Sequence, residues 1–202
     1  HLMINEPVKQ IKNYIDAGSD IVTVHAEVCD ESSFGEIHDL LKSNKVSVGL
    51  AINPDTSMPD WSKKFISTLD QIIVMSVVPG KSGQKYIENT HEKTKNLMIH
   101  LKENGFTGYV ESDGGVTLDN IGECFTDGAR AFVGGSAIIG QTDVRLVIRE
   151  FRNRVLRTRR KLLIQKANEL GGTELGNKWI DLHVIGKKKD ELQHIAMELG
   201  YQ

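Results

Sequence analysis

Short apolar runs rich in β-branched residues alternate with longer amphipathic segments along most of this sequence. The runs lie at residues 21–25, 46–52, 71–77, 108–112 and 131–134, and the amphipathic segments at residues 6–16, 34–42, 61–68, 87–104 and 118–126. This alternation predicts βαβ units, in which helices connect the strands of a parallel sheet. Because the runs are continuously apolar rather than alternating, we expect both faces of that sheet to be covered.

Polar and glycine-rich residues follow nearly every predicted strand. They are His25-Ala26-Glu27, Asn53-Pro54, Pro79-Gly80, Asp113-Gly114 and Gly135-Ser136. An open doubly wound sheet with a dinucleotide site would carry G-x-G-x-x-G directly after its first strand, and this motif is absent there. In a closed (β/α)₈ barrel of the TIM type, all strand C-termini meet on one face, where active sites lie. Candidate functional residues after five strands therefore favour the barrel.

The composition narrows the class of protein. Hydrophobic residues make up 39% and charged residues 26% of the 202 residues, which is typical of a globular protein. No apolar run approaches the roughly 20 residues of a membrane span, and the N-terminus shows no signal-peptide pattern, so we expect no membrane association. Two cysteines, Cys29 and Cys124, are too few for a disulfide framework, and we expect a cytoplasmic protein.

Basic residues are concentrated near the C-terminus. Residues 145–166 contain nine Lys or Arg and a single acidic residue, Glu150, although the net charge of the whole chain is −2. Such a block can bind nucleic acid or form a solvated helix face. Since no nucleic-acid-binding motif accompanies it, we favour the solvated face and do not expect nucleic-acid binding.

The C-terminal region has a pattern of its own. A helix is predicted from residue 143 to about residue 170, then a strand at residues 178–184 and a helix at residues 189–199. We therefore divide the chain into a barrel domain at residues 1–150 and a region at residues 151–202, which holds the basic helix and a C-terminal βα extension.

Two glycine-rich loops are candidates for binding phosphate. Residues 80–83 (Gly-Lys-Ser-Gly) allow backbone N–H groups to approach an anion closely. Gly135 and Ser136 precede a short helical start, where free N–H groups favour anions. Ordinary turns also use glycine, so each loop alone is a weak signal.

Single residues at predicted strand ends are the other candidates. Asp113 could serve as a general acid or base, as a metal ligand, or as a turn carboxylate bonded to its own backbone. His25 is interpreted as a structural hydrogen-bonding group. Met3 and Met75 either pack in the core or line a cavity.

Taken together, these stretches resemble the ribulose-phosphate 3-epimerase family, whose members are (β/α)₈ barrel isomerases of the pentose phosphate pathway. The matching stretches, in order, are residues 1–3 (HLM) with 6–7 (EP), 17–27 (AGSDIVTVHAE), 48–54 (VGLAINP), 74–84 (VMSVVPGKSGQ), 111–116 (ESDGGV) and 134–138 (GGSAI). Several motifs in the right order are far more specific than any one of them.

The resemblance implies an activity and a set of site residues. Family members interconvert D-ribulose 5-phosphate and D-xylulose 5-phosphate by metal-assisted proton transfer at C3, using two aspartates on opposite faces of the substrate and zinc, iron or manganese. Asp113 matches the aspartate that binds the metal and acts on the proton, and His1 matches a histidine ligand. The matched substrate and phosphate contacts are His1, Gly80, Lys81, Ser82, Gly83, Gly114, Gly115, Gly135 and Ser136.

The sequence also departs from the family pattern. His1 matches the family's third strand, so its first two strands, with a histidine ligand and the second catalytic aspartate, would lie upstream of His1. We expect one proton-transfer acid and two of four metal ligands in this chain. An incomplete barrel would expose strand edges and apolar surface, so we expect closure by the C-terminal region, a homo-oligomer, or low stability.

Two alternative functions are also compatible with the sequence. One is a non-catalytic homologue that binds a sugar phosphate or acts as an interaction module. The other is an epimerase for a related sugar phosphate, such as allulose 6-phosphate, because the motifs do not distinguish five-carbon from six-carbon substrates.

Overall fold

The computed structural model describes residues 1–183, with the backbone alone described for residues 167, 168 and 170–183. Contacts within the chain divide it into two compact units, His1–Ile148 and Arg149–Gln202. The first unit is an α/β structure, and the described part of the second unit is helical.

The first unit contains five strands connected by helices. The strands are β1 (Ile21–His25), β2 (Ser47–Ile52), β3 (Gln71–Met75), β4 (Tyr109–Asp113) and β5 (Ala131–Val133). The helices are α1 (Pro7–Asp16), α2 (Glu31–Ser43), α3 (Asn89–Glu103), α4 (Ile121–Asp127) and α5 (Gly135–Ile139). Short 3₁₀ turns lie at Ala26–Val28, Asp60–Lys64 and Ile66–Thr68. The α-helix predicted at residues 61–68 is therefore wrong, because this segment forms two 3₁₀ turns.

The strand order identifies the architecture. The five strands pair in parallel in the order β1-β2-β3-β4-β5, and Leu2 extends the sheet beyond β1 by a parallel bridge to Val24. A doubly wound sheet reverses its strand order at a switch point, whereas each strand of a barrel lies next to its predecessor. The sheet therefore has the topology of part of a (β/α)₈ barrel, and the predicted fold class is confirmed.

The two faces of the sheet differ in chemistry. One face packs against the helices through a large apolar core that includes Val24, Leu50, Ile72 and Val110 from the strands and Phe34, Ile37 and Leu41 from α2. The opposite face carries a smaller apolar cluster of Ala51, Ile73, Met75 and Val77. Successive residues of a strand point to opposite faces of the sheet. The polar side chains that alternate with the residues of the large core therefore lie on this second face.

Local sequence explains why α2 begins where it does. Asp30 accepts a hydrogen bond from the backbone N–H of Ser33, and the Ser33 hydroxyl accepts one from the backbone N–H of Asp30. This reciprocal capping box satisfies two backbone donors that a helix start leaves unpaired, and a good cap contributes about 1 kcal/mol. The cap sets the first residue of α2, directly after the loop that follows β1.

The described part of the second unit lies in one long helix, α6 (Val144–His183), which begins in the first unit. The strand predicted at residues 178–184 is wrong, because α6 continues through His183. A short apolar run does not by itself distinguish a strand from a helix, and extending an existing helix avoids the cost of a new nucleus. Residue 184 and the helix predicted at residues 189–199 lie outside the described residues.

The basic stretch forms part of α6. The side chains of Arg149, Arg152, Arg154, Arg157, Arg160 and Lys161 are exposed. Exposed basic side chains are compatible with a solvated face and with nucleic-acid binding, so the solvated helix face stays a prediction. Among residues 1–183, no helix is both long enough and apolar enough to cross a membrane.

Candidate active site

A row of polar side chains crosses the sheet on the face opposite the large core. The Thr23 hydroxyl donates to Gln71 Oε1 at 2.6 Å, and Gln71 Nε2 donates to Glu111 Oε2 at 2.8 Å. Gly49 of the intervening strand makes this possible, since a Cβ there would lie 2.0 Å from Thr23 Oγ1. The row leads along β4 toward Asp113, the last residue of that strand.

Asp113 lies beside two neighbouring strand ends. It pairs in register with Met75 of β3 and with Val133 of β5. Burial raises the pKa of Asp113, and the nearby His25 opposes this shift by favouring the ionised carboxylate. Burial and the neighbouring Asp113 also raise the pKa of Glu111, two residues earlier. Two half-buried carboxyl groups on one strand therefore share a region that disfavours negative charge.

His1 connects Asp113 to β1. Its Nδ1 lies 3.1 Å from Asp113 Oδ2, and its Nε2 lies 2.8 Å from Nε2 of His25. The two imidazole rings are nearly parallel, with their planes 17° apart and their centroids 5.0 Å apart. The structure thus brings together His1 and Asp113, which are 112 residues apart in sequence.

A second carboxylate completes this chain of contacts. His25 Nδ1 lies 3.2 Å from Glu27 Oε2, and the other Glu27 oxygen accepts the backbone N–H of Asn53 at 2.7 Å. Burial alone would raise the pKa of Glu27, but the hydrogen bonds from His25 and Asn53, among others, outweigh it and lower the pKa to about 2. Glu27 is therefore ionised at neutral pH.

An open cleft of about 360 Å³ lies at the C-terminal ends of β3, β4 and β5. It is lined by Asp113 with Gly114 and Gly115, by Gly80, Lys81, Ser82, Gly83 and Gln84, by Gly135 and Ser136, and by Met3, Met75, Val77, Pro79 and Val133. Every predicted substrate-contact residue except His1 lines this cleft, and His1 reaches it through its contact with Asp113. Of the two positions predicted for Met3, the core is wrong and the cavity wall is confirmed, since Met3 lines the cleft and 46% of its surface is exposed.

Glycine is required at two positions directly after Asp113. Gly114 has φ of 112° and Gly115 has φ of 65°, a region that other residues rarely adopt. A Cβ on Gly114 would lie 2.3 Å from Val77, and one on Gly115 would lie 2.4 Å from the backbone nitrogen of Tyr86. These glycines let the chain turn sharply away from Asp113 and leave the carboxylate facing the cleft.

The loop at residues 80–83 is held by a neighbouring side chain. Gln84 Nε2 donates to the carbonyl oxygens of Val78 and Lys81 at 2.6 and 2.8 Å. These bonds hold the loop against the side chain of Gln84. The second glycine-rich loop leads into α5, which has only five residues. Its dipole is therefore small, and a bound anion there would depend on individual backbone amides.

The donor set at Asp113 tests whether a divalent metal fits. An imidazole nitrogen of His1 and a carboxylate oxygen of Asp113 lie side by side, and both atom types suit zinc, iron or manganese. Among the side chains that the structure describes, no three His, Cys, Asp or Glu residues converge in a way that could hold a metal ion. His1 and Asp113 therefore fit two ligands of a metal site rather than a complete one.

Sequence reasoning underestimates two residues. The sequence places Glu27 among the polar strand-end residues without indicating a role for it, and it favours a structural role for His25. Their spacing carries the signal that could have found them, because His25 ends β1 and Glu27 follows two residues later, which places a carboxylate next to an imidazole.

The sequence is similar to one family of known proteins. A model of the ribulose-phosphate 3 epimerase family matches residues 1–139. Ribulose-phosphate 3-epimerase of Escherichia coli K12 is 37% identical over 153 residues, which cover 76% of this chain and 67% of the relative. The Bacillus subtilis enzyme of the same name is 36% identical over a stretch that covers 75% of this chain and 69% of the relative. The chloroplastic ribulose-5-phosphate-3-epimerase of Arabidopsis thaliana is also 36% identical, covering 71% of this chain and 50% of the relative.

Solved structures of low sequence identity share the fold. The crystal structure of KGPDC from Streptococcus mutans gives a TM-score of 0.56 at 19% identity, covering 75% of this chain and 67% of that one. The crystal structure of 3-hexulose-6-phosphate synthase from Salmonella typhimurium gives a TM-score of 0.55 at 18% identity, covering 78% of this chain and 71% of that one. The family match extends over more than half of the chain, and the bacterial relatives exceed 30% identity over about two thirds of their length. This chain belongs to the ribulose-phosphate 3-epimerase family.

Proposed function

We propose that this chain acts as a ribulose-phosphate 3-epimerase, an isomerase that interconverts D-ribulose 5-phosphate and D-xylulose 5-phosphate. The observation that carries the proposal is the position of Asp113, beside His1 and in a cleft bordered by two glycine-rich loops. A sugar phosphate fits both features, because a carboxylate can move a proton at carbon while backbone amides hold the anionic end.

Asp113 removes the proton from C3 in this proposal. Its burial raises its pKa, which makes the carboxylate a stronger proton acceptor. Proton loss gives an enediolate, and proton return on the opposite face gives the epimer. Asp113 is the one carboxylate that lines the cleft among the described residues. It accounts for proton transfer on one face of C3.

We assign the phosphate to the two glycine-rich loops that line the cleft, at residues 80–83 and 135–136. Gly83 follows β3 and Ser136 follows β5, the two strands that flank β4, and both residues line the same cleft as Asp113. Backbone amides of these loops can donate to phosphate oxygens, and Lys81 adds a positive charge beside them. The proton-transfer group and the anion-binding groups are therefore separate parts of one cavity.

A divalent metal, zinc, iron or manganese, belongs to this proposal, with His1 and Asp113 as two of its ligands. When bound, such an ion supplies positive charge that stabilises negative charge developing on the substrate oxygens. A cytoplasmic location and a homo-oligomer also stay predictions.

Hydrogen exchange at C3 tests the proposal. The chain is incubated with ribulose 5-phosphate and Zn²⁺, Fe²⁺ or Mn²⁺ in D₂O, and the C3 proton and xylulose 5-phosphate are followed by ¹H NMR. We expect deuterium to enter C3. Exchange without epimer formation would show that Asp113 removes and returns the proton on one face. If the chain binds the substrate and no deuterium enters C3, the proposal of catalysis fails.

A sugar-phosphate-binding protein without turnover is the second candidate. The single cleft-lining carboxylate of the described residues favours it, because inversion needs an acid on each face. Calorimetry with ribulose 5-phosphate separates the candidates, since this one requires binding without exchange. The same two measurements with allulose 6-phosphate test the related six-carbon substrate.

A further inference from the structure

A second cavity, of about 400 Å³, lies beside helix α3. One wall is formed by the end of β2 and the segment that follows it, and the other wall by residues of α3. Its apolar part includes Ile52 and Leu97, and its hydrogen-bonding part includes Ser57, Asn96 and His100. Among the described residues, none lines both this cavity and the cleft. Because a mixed wall of this kind suits a small polar organic molecule, the cavity is a candidate for a separate ligand site.

Lys93 of α3 also lines the cavity, and its amine is held in a fixed position. Nζ donates to the backbone carbonyl oxygen of Asn53 and, at 3.3 Å, to that of Pro54. A neutral amine has two N–H groups and one lone pair, so it can make both bonds without the third proton of an ammonium group. The two carbonyl groups therefore hold Nζ in place and leave its lone pair for a further bond.

The surroundings of Lys93 favour the unprotonated amine. Burial lowers the pKa of Lys93 to about 8, although the carboxylates of Glu27 and Asp55 oppose this shift. His100 is the remaining titratable side chain on the cavity wall among the described residues. At pH 7.5, an amine with this pKa has an unprotonated fraction roughly 100-fold larger than that of an ordinary lysine. Only the unprotonated amine is a nucleophile, so Lys93 can attack an electrophile that enters the cavity.

The charges around Nζ select the class of electrophile. Carbon dioxide would convert the amine into a carbamate, which is an anion. An aldehyde would convert it into an imine, which becomes a cation when protonated. Nζ contacts two carbonyl oxygens, and the carboxylates of Glu27 and Asp55 act on it from farther away. Negative potential of this kind stabilises a cation and destabilises an anion, so the surroundings favour the imine.

We propose that this cavity is a covalent site for a small hydroxyaldehyde, held as an imine on Lys93. The Nζ lone pair forms a bond to the carbonyl carbon, and the carbonyl oxygen takes up a proton to give a carbinolamine. This oxygen then leaves as water with the two amine hydrogens, and a C=N double bond forms without an oxidant or reductant. The imine takes a proton from solvent, and Ser57, Asn96 and His100 can bond the hydroxyl groups. The proposal is independent of the proposed function.

Reductive trapping tests the proposal on the full 202-residue chain. The chain is incubated at pH 7.5 with glycolaldehyde and sodium cyanoborohydride, which reduces an imine to a stable secondary amine, and peptide mass spectrometry gives the rate at each lysine. Lys95 is the matched internal control, since it lies two residues later in α3 and its side chain is 51% exposed. We expect Lys93 to react at least about 10-fold faster than Lys95, because of its larger unprotonated fraction. Equal rates, or a faster Lys95, overturn the proposal.

The dependence on aldehyde concentration tests whether the cavity binds the aldehyde. We expect the rate at Lys93 to level off as the glycolaldehyde concentration rises, over a range in which the rate at Lys95 still rises in proportion. Proportional rates at both residues would show a reactive lysine without a binding site and would overturn the proposal.

Two conservative variants assign the saturable reaction to one amine. Lys93→Arg keeps a cation that can donate to the carbonyl groups of Asn53 and Pro54, but a guanidinium forms no such imine. We expect the saturable reaction to be lost in this variant and to stay at the wild-type rate in Lys95→Arg. Saturable reaction that persists in Lys93→Arg, or that is lost in Lys95→Arg alone, overturns the assignment to Lys93.

Discussion

Two carboxylate–imidazole pairs in this protein share the same chemistry and differ in their surroundings. The cleft pair, His1 and Asp113, joins the segment beside β1 to the end of β4, with side chains 17% and 16% exposed. The helix pair, His91 and Asp127, joins α3 to the end of α4, and its side chains are 9% and 1% exposed. Both pairs bring a ring nitrogen against a carboxylate oxygen.

The difference between the pairs lies in access. Tyr86 covers His91 with its ring centroid 4.7 Å away, and Nζ of Lys95 lies 3.2 Å from Asp127. Neighbouring side chains therefore enclose the helix pair, and the pair stabilises the packing of α3 against α4. The cleft pair instead faces a cavity of about 360 Å³ bordered by glycines. An identical pair of functional groups thus stabilises the fold where it is enclosed and can bind a ligand where a cavity adjoins it.

The largest expected effect comes from Asp113→Asn. The amide cannot take up the C3 proton and is a poor metal ligand, so we expect exchange at C3 to fall by roughly 1,000-fold or more and Zn²⁺ binding to be lost. The free energy of unfolding should change little, because the variant removes a half-buried charge. NMR exchange rates and urea unfolding measure the two effects. Full exchange activity in this variant would remove Asp113 from its assigned role.

Acid unfolding should reveal how the cleft pair is anchored. Glu27 has a pKa of about 2 in the folded chain, below its ordinary value of 4.5, so its ionised form stabilises the fold. This contribution is complete above pH 4.5 and is lost as the pH falls from 4.5 toward 2, amounting to roughly 3 kcal/mol. Urea unfolding at pH 7 and pH 3 measures the part of this contribution that is lost above pH 3, roughly 2 kcal/mol.

Glu27→Gln is the matched variant for this measurement. It cannot ionise, so its stability should fall less between pH 7 and pH 3 than that of the wild-type chain. Parallel losses in the two proteins would contradict the assignment of acid sensitivity to Glu27.

The sequence predicts the frame of the molecule more reliably than its contacts. The strand predicted at residues 21–25 matches β1, and Asp113 is correctly predicted at a strand end because glycines follow it. Apolar runs and turn residues are local signals, so they are readable from the chain. The contact between His25 and His1 depends on side-chain directions in two neighbouring segments, and no local pattern encodes it. The strand predicted at residues 178–184 is wrong because a short apolar run also fits a helix.

Asp127→Asn tests the enclosed pair and has the smallest expected effect. Replacing an enclosed carboxylate weakens its bonds to His91 and to Lys95, so we expect the free energy of unfolding to fall by about 2 kcal/mol. Exchange at C3 and Zn²⁺ binding should stay at wild-type levels, the reverse of Asp113→Asn.

The matched control for this prediction is Asp39→Asn. Asp39 also contacts an imidazole, that of His38, but its side chain is 85% exposed, so the loss should be below about 0.5 kcal/mol. If Asp127→Asn destabilises no more than Asp39→Asn, enclosure does not decide the contribution of the pair. If it also abolishes exchange at C3, the two pairs are not separable in function, because the helix pair would then support the cleft that the cleft pair serves.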